Sequence, residues 1–242
     1  MTVRIAMWSG PRNLSTAMMR SFGARADTHV TDEPFYGAYL KLTGDPQPMA
    51  PQVIADMDCD WDSVARTMSG PVPGDRPIWY QKHMAHHMEG PLGIEALTAH
   101  VHAFLIRDPR RVVASYAAKR TKVRSEHLGV GRQRAYFDLV ADRLGKAPPV
   151  VDSADILKDP PVVLAKLCAT LGISWNPAML KWAPGRRDTD GIWASHWYNA
   201  VEASTGFGPA EGALPELDAE AAAVAAACTE DYAYLAGFAL KA

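Results

Sequence analysis

Five stretches of this 242-residue chain hold side chains able to do chemistry. The first is WSGPRNLSTAMM, a turn in which Gly10 and Pro11 precede Arg12, Asn13, Leu14, Ser15 and Thr16, just where a helix should begin. Backbone N–H groups in such a turn, together with the positive end of the helix dipole, favour bound phosphate. Arg12 adds charge, and Ser15 and Thr16 add hydroxyl donors. The turn lacks the Gly-Lys-Ser/Thr ending whose lysine and hydroxyl serve the terminal phosphates and magnesium of a nucleoside triphosphate. An ordinary βα turn with a serine cap fits the same residues. The second stretch, HAFLIRDPRRVVASYAAKR (102–120), sends Arg107 off the carboxyl end of a strand, where open α/β sheets place ligands. Ser115 follows about two helical turns later, within reach of the same phosphate. Asp108-Pro109 also reads simply as an N-cap with proline at the first helical position.

The third stretch is Asp32-Glu33-Pro34, in which two adjacent carboxylates, Asp32 and Glu33, also read simply as a solvated turn. In the fourth, YQKHMAHHM (80–88), Lys82 can stabilise a developing negative charge, and His83, His86 or His87 titrates near neutral pH. Clustered histidines raise the question of zinc, but no His-Glu-x-x-His or partnering cysteine accompanies them, so no metal is expected. The fifth, residues 181–207, collects three tryptophans with Gly185, Arg186 and Arg187. Trp193 or Trp197 can stack on a planar base or line a pocket, and these rings, like Tyr198, serve equally as core.

The elements that must position these groups follow from hydrophobic periodicity. Strands are predicted at 3–8, 28–31, 78–81, 102–106 and 150–151. Helices are predicted at 14–25, 90–99, 110–120, 131–145, 160–171 and 215–229, with a loop-rich excursion at 43–76 that contains a short helix near 59–68. This alternation is that of an α/β fold with a central parallel sheet of about five strands flanked by helices, and a single domain over 1–242 is expected. With 48% hydrophobic and 21% charged residues the chain is of globular composition, which excludes disordered, collagen-like and coiled-coil classes. The 25 Lys and Arg against 27 Asp and Glu give a net charge of −2, so no nucleic-acid partner is expected. Charge is nevertheless uneven. Residues 107–146 hold eleven Lys and Arg, Lys119 and Arg120 among them, against four acids, a local field that would draw in a small polyanion. Cys59, Cys168 and Cys228 form neither an even set nor a Cys-x-x-Cys pair, as expected in a reducing compartment. No signal peptide or membrane-length apolar run is visible, so a cytoplasmic protein without membrane partners is expected, as monomer or homodimer.

Taken together, SGPRNLSTAM and FLIRDPRRVVASY resemble the sulfotransferase family that uses 3′-phosphoadenosine-5′-phosphosulfate (PAPS). They match its two phosphate-binding segments in order and spacing. DSADILKDPPVVLAKLCATLGI extends the likeness, which covers roughly residues 3–180 and best suits a bacterial subgroup related to regions fused to branched-chain aminotransferase-like domains. The resemblance implies a three-layer, P-loop-like fold and transfer of a sulfuryl group from PAPS, without metal, to a hydroxyl or amine of a small-molecule acceptor. It implies that Gly10, Pro11, Arg12, Asn13, Leu14, Ser15 and Thr16 hold the 5′-phosphosulfate. Arg107 and Ser115 would hold the 3′-phosphate, and Arg186 and Arg187 would close over it. Glu33, or a histidine among His83, His86 and His87, would be the base, with Lys82 beside the bridging oxygen. The chain departs from the family pattern in two places. Asn13-Leu14-Ser15-Thr16 stands where many members have Ser-Gly-Thr-Thr, and Ser153-Ala154-Asp155-Ile156 stands for Tyr-Glu-Asp-Leu. Two alternatives remain, a P-loop nucleotide kinase-like phosphotransferase and a catalytically silent module that binds 3′,5′-adenosine bisphosphate (PAP).

Overall fold

The computed structural model describes residues 2–118 and 122–242; the cations Lys119 and Arg120, and with them the end of the helix predicted at 110–120, lie outside the described residues. Five strands form one parallel sheet in the order β2-β3-β1-β4-β5, where β1 is Val3–Ser9, β2 Thr28–Asp32, β3 Ile78–Met84, β4 Val101–Ile106 and β5 Val150–Asp152. Asp32 of β2 is level with Lys82 of β3, and Ile106 of β4 is level with Asp152 of β5. In chain order the helices are α1 Ser15–Gly23, α2 Tyr36–Thr43, α3 Ala50–Asp56, α4 Trp61–Ser69, α5 Pro109–Ala117, α6 Ser125–Leu128, α7 Val130–Leu144, α8 Ser153–Lys158, α9 Pro160–Thr170, α10 Ala194–Trp197, α11 Asn199–Glu202, α12 Ala219–Ala227 and α13 Thr229–Ala236.

Burial explains the strand sequences. Ile5, Ala6, Met7 and Trp8 of β1 are all fully buried, as a central parallel strand covered on both faces requires. β2, at the sheet's edge, instead alternates buried and half-buried positions. β3 is buried at all seven positions although it contains Gln81, Lys82 and His83. It therefore runs three residues past the predicted end at 81, because those polar groups find partners inside the protein. At β5 the C-terminal tail covers the open edge, and the Leu240 N–H donates to the Val150 carbonyl at 2.9 Å.

Helix boundaries follow local chemistry. Asp108 caps α5 by accepting from the Arg110 N–H at 2.8 Å, with Pro109 in the first turn. The helix predicted at 90–99 is corrected to a single 3-10 turn at Ile94–Leu97. Gly90, Pro91 and Gly93 cannot nucleate a helix, and a Cβ on Gly90 would stand 2.3 Å from the Trp61 ring. The stretch predicted as one helix at 215–229 is two, α12 and α13, broken at Cys228. α2 has no counterpart among the predicted helices; it ends on Gly44 in the left-handed region, whose N–H caps the Leu40 carbonyl.

Packing groups the chain into two compact units. The first takes residues up to 7, 16–101 and 176–207, and the second takes 8–15, 102–175 and 208–242. In the first, Phe22 of α1 stacks on Tyr80 of β3 at 4.3 Å. In the second, α12 packs on α5 and α13 on α7 and β5, and Gln133 of α7 donates to the carbonyls of Trp8 and Leu105. No disulfide joins the cysteines, and among the described residues no helix is long and apolar enough to cross a membrane.

The first unit carries a pH-sensitive element of stability. Burial, with Arg4 adding to it, lowers the pKa of His100 to about 4. The unfolded chain takes up this proton near pH 6.5, so the unfolded state binds more protons and stability falls as pH drops from 6.5 towards 4. The expected loss is about 2 kcal/mol between pH 7 and pH 5. His100→Gln should flatten that part of the profile of urea midpoint against pH; a variant that keeps the wild-type slope would show that other groups carry it.

Candidate active site

The first unit brings together Glu33, Lys82 and Thr16, three residues that lie far apart in sequence. β2 and β3 end side by side, and the Glu33 N–H donates to the Lys82 carbonyl at 2.9 Å, so the residue after β2 stands beside the lysine. The Lys82 side chain is only 1% exposed. Its Nζ lies 2.7 Å from Glu33 Oε1, 2.9 Å from Asp32 Oδ1, 2.6 Å from the Tyr198 hydroxyl and 3.2 Å from Thr16 Oγ1. Tyr198 donates to Asp32 Oδ2 at 2.7 Å and accepts from Trp193 Nε1 at 3.2 Å. Burial works against the Lys82 ammonium, but the adjacent carboxylates of Asp32 and Glu33 prevail and hold its pKa well above the ordinary value. For Asp32 the balance is opposite. Burial, with Glu33 adding repulsion, pushes its pKa up despite Lys82. Glu33 also holds a positive φ of 43°, a left-handed conformation that costs a non-glycine residue about 1–2 kcal/mol and that the neighbouring contacts must sustain.

The histidines divide. His87 stacks on Tyr36 at 4.5 Å and on Tyr39 at 4.8 Å, with Nδ1 3.9 Å from Glu33 Oε2. Burial and Lys82 hold its pKa well below the usual imidazole range, so its ring is neutral. His83 places Nε2 3.1 Å from Gln81 Oε1, and His86 packs edge-on against Tyr39. Among the described residues no group of three or more His, Cys, Asp or Glu side chains is placed to hold a metal ion.

The second unit brings together the loop after β1 and the start of α5. Arg107 Nη1 donates to the Arg12 carbonyl at 2.8 Å, and Arg12 Nε donates to Ser115 Oγ at 2.9 Å, so the three residues form one cluster. Burial, and next the charge of Arg107, lowers the Arg12 pKa. Arg12 and Leu14 take positive φ of 59° and 70°, a backbone that turns N–H groups towards an anion. Leu14 thus adopts the left-handed conformation at the position where many family members have glycine. Pro11, buried, follows Gly10 into the turn, and Asn13 anchors it by donating to the Leu105 carbonyl at 3.2 Å. A Cβ on Gly10 would stand 2.2 Å from the Leu128 carbonyl oxygen, so only glycine fits there. Ser15 opens α1.

Arg186 and Arg187 belong to the first unit. Arg187 donates to the carbonyls of Ala183, Pro184, Gly185 and Arg186, and its N–H donates to Asp190. With Arg20, Thr28 and Val30 it lines a cavity of about 520 Å³ at the start of β2, whereas Glu33 and Lys82 stand at the strand's far end, about 13 Å along at 3.3 Å per residue. Arg186 is exposed. The structure thus does not bring these two arginines to Glu33 and Lys82; local carbonyls and the buried Arg20–Asp190 pair, 2.5 Å apart, fix their loop. Trp193 lies in the core beside Tyr198 and edge-on to Tyr36 at 5.1 Å, while Trp197 packs against His196. The sequence singles out Tyr198 only as a ring of the core, because no motif marks its hydroxyl, and gives no sign of Glu211, which lies 2.6 Å from Arg107 Nη2 in a segment without periodicity.

A family model described as a sulfotransferase domain matches residues 3–234. Branched-chain-amino-acid aminotransferase-like proteins 1 and 2 of Arabidopsis thaliana are each 36% identical over 204 and 205 residues, 84% of this chain. The chain spans 36% of the length of these curated relatives. A sulfotransferase domain from the curacin biosynthetic pathway superposes with a TM-score of 0.57 at 15% identity, covering 95% of this chain and 98% of that one. A sulfotransferase from Alicyclobacillus acidocaldarius gives 0.56 at 13% identity, covering 98% and 95%. At these identities the structural likeness is one of fold.

Proposed function

Because the chain belongs to the sulfotransferase family, we propose that it transfers a sulfuryl group from PAPS to a hydroxyl or amine of a small-molecule acceptor. The observation that carries this reading is the placement of Lys82 Nζ between Glu33 Oε1 at 2.7 Å and Thr16 Oγ1 at 3.2 Å, which joins a base, a fixed cation and the first turn of α1. The second unit's donor set suits a polyanion: two guanidinium groups and a hydroxyl in one cluster, beside a turn that only glycine at position 10 permits. Arg107 and Ser115 would hold the 3′-phosphate, and residues 10–16 the 5′-phosphosulfate. When bound, PAPS supplies a sulfuryl group activated on a phosphate anhydride.

The chain's own residues handle proton and charge. Glu33 accepts the acceptor's hydroxyl proton on its carboxylate. As that carboxylate becomes neutral, the Lys82 ammonium loses one of its two counter-charges and turns its surplus on the negative charge that develops nearby. Asp32 and Tyr198 keep the ammonium in place meanwhile. His87, neutral and clamped between two tyrosines, borders Glu33 without competing for the proton.

Thermal shift measurements test the reading. PAP at 100 times its Kd should stabilise the protein by about 2.7 kcal/mol, and ATP-Mg²⁺ should leave it unchanged. Arg107→Ala should weaken PAP binding about 10- to 100-fold, the equivalent of one or two charged hydrogen bonds. Stabilisation by ATP-Mg²⁺ alone, or an Arg107→Ala protein that binds PAP as well as wild type, would overturn it.

A further inference from the structure

The guanidinium of Arg107 already holds an anion. Glu211 places Oε1 2.8 Å from Arg107 Nε and 2.6 Å from Nη2, and Oε2 3.0 Å from Arg111 Nε. Its side chain is 8% exposed. The stretch around it is fastened to the first turn of α5 in the same way: Arg111 donates to the carbonyls of Gly212 and Ala213, and Arg110 to that of Pro215 at 3.1 Å. Between residues 208 and 218 there is neither helix nor strand, and most positions are exposed. Gly208 and Gly212 have open space where a Cβ would be, which leaves the backbone room to swing. The segment is thus held by arginine contacts rather than by a buried apolar face.

We infer that Glu211 is a carboxylate stand-in for the 3′-phosphate: it closes the Arg107 site while the site is empty and is displaced, with its segment, when the phosphate arrives. This rests on the reading that Arg107 and Ser115 hold that phosphate. A phosphate carries up to twice the charge of a carboxylate and three acceptor oxygens against two, so it competes successfully for the same guanidinium groups. A nucleotide without a 3′-phosphate has nothing to put in the place of Glu211 and leaves the segment where it is.

Calorimetric titration of the full chain and of Glu211→Gln with PAP and with adenosine 5′-monophosphate tests this. Glu211→Gln should bind PAP about tenfold more tightly, with its affinity for the monophosphate within twofold of wild type. In the wild-type protein, saturating PAP should speed limited proteolysis within 208–218, and the monophosphate should not, which requires no variant to fold. If wild type binds PAP but Glu211→Gln binds it no better, or if PAP protects the segment, the stand-in role is wrong while the phosphate assignment survives. Failure of both proteins to bind PAP overturns the phosphate assignment and the stand-in role with it.

Discussion

Replacing Lys82 with Met is expected to reduce sulfuryl transfer by about 10³-fold or more and to destabilise the protein by about 3–5 kcal/mol. Both losses have one origin. The ammonium is 1% exposed and faces two carboxylates at 2.7 and 2.9 Å, so removing it leaves Asp32 and Glu33 buried without a counter-charge. Against a typical total stability of about 5–15 kcal/mol this can unfold a sizeable fraction of the molecules. A double variant separates stability from chemistry. Lys82→Met with Asp32→Asn removes a cation and an anion together and should recover most of the urea midpoint, while single-turnover transfer stays near background and PAP still binds. A double variant that is stable and active would remove Lys82 from the reaction.

Gly10→Ala should have the next largest effect, through sterics rather than charge. The added Cβ would meet the Leu128 carbonyl oxygen at 2.2 Å, and because that neighbour is backbone, neither side can rotate away. The loop or α6 must shift, at a cost of about 1–3 kcal/mol, and the turn carrying Arg12, Asn13 and Leu14 shifts with it. PAP affinity should fall at least tenfold. Gly145→Ala is the matched control. That glycine has φ of 64° with nothing near its Cβ position, so alanine should cost about 1–2 kcal/mol of strain and leave PAP binding intact. Equal PAP affinities for the two variants would show that the close approach at Gly10 does not shape the site.

Motif residues and elements differ in how far they could be read in advance. The central strands were legible because buried parallel strands need apolar runs, as at 5–8 and 103–106. The turn after β1 and the start of α5 were legible as elements because strand ends and helix starts carry local signatures: a Gly-Pro turn, and an aspartate cap followed by proline. The end of β3 was not, because Gln81, Lys82 and His83 look like surface until their buried partners are known. The helix expected at 90–99 failed for a local reason, two glycines and a proline in its first turn, with Gly90 pressed against Trp61.

Sequence alone determined the α/β class, the family, the turn between β1 and α1 and the two candidates Glu33 and Lys82, since each is written in contiguous residues or in the order of motifs. Tertiary structure alone decided that Glu33 and Lys82 touch, that Asp32 and Tyr198 lock the lysine, and that Arg187 donates to the carbonyls of its own loop. It also decided that Glu211 occupies Arg107. The physical reason is common to all of these. A buried charge must find a counter-charge or a hydrogen-bond partner wherever the fold supplies one, and that partner is chosen by strand register and loop path rather than by neighbours in sequence.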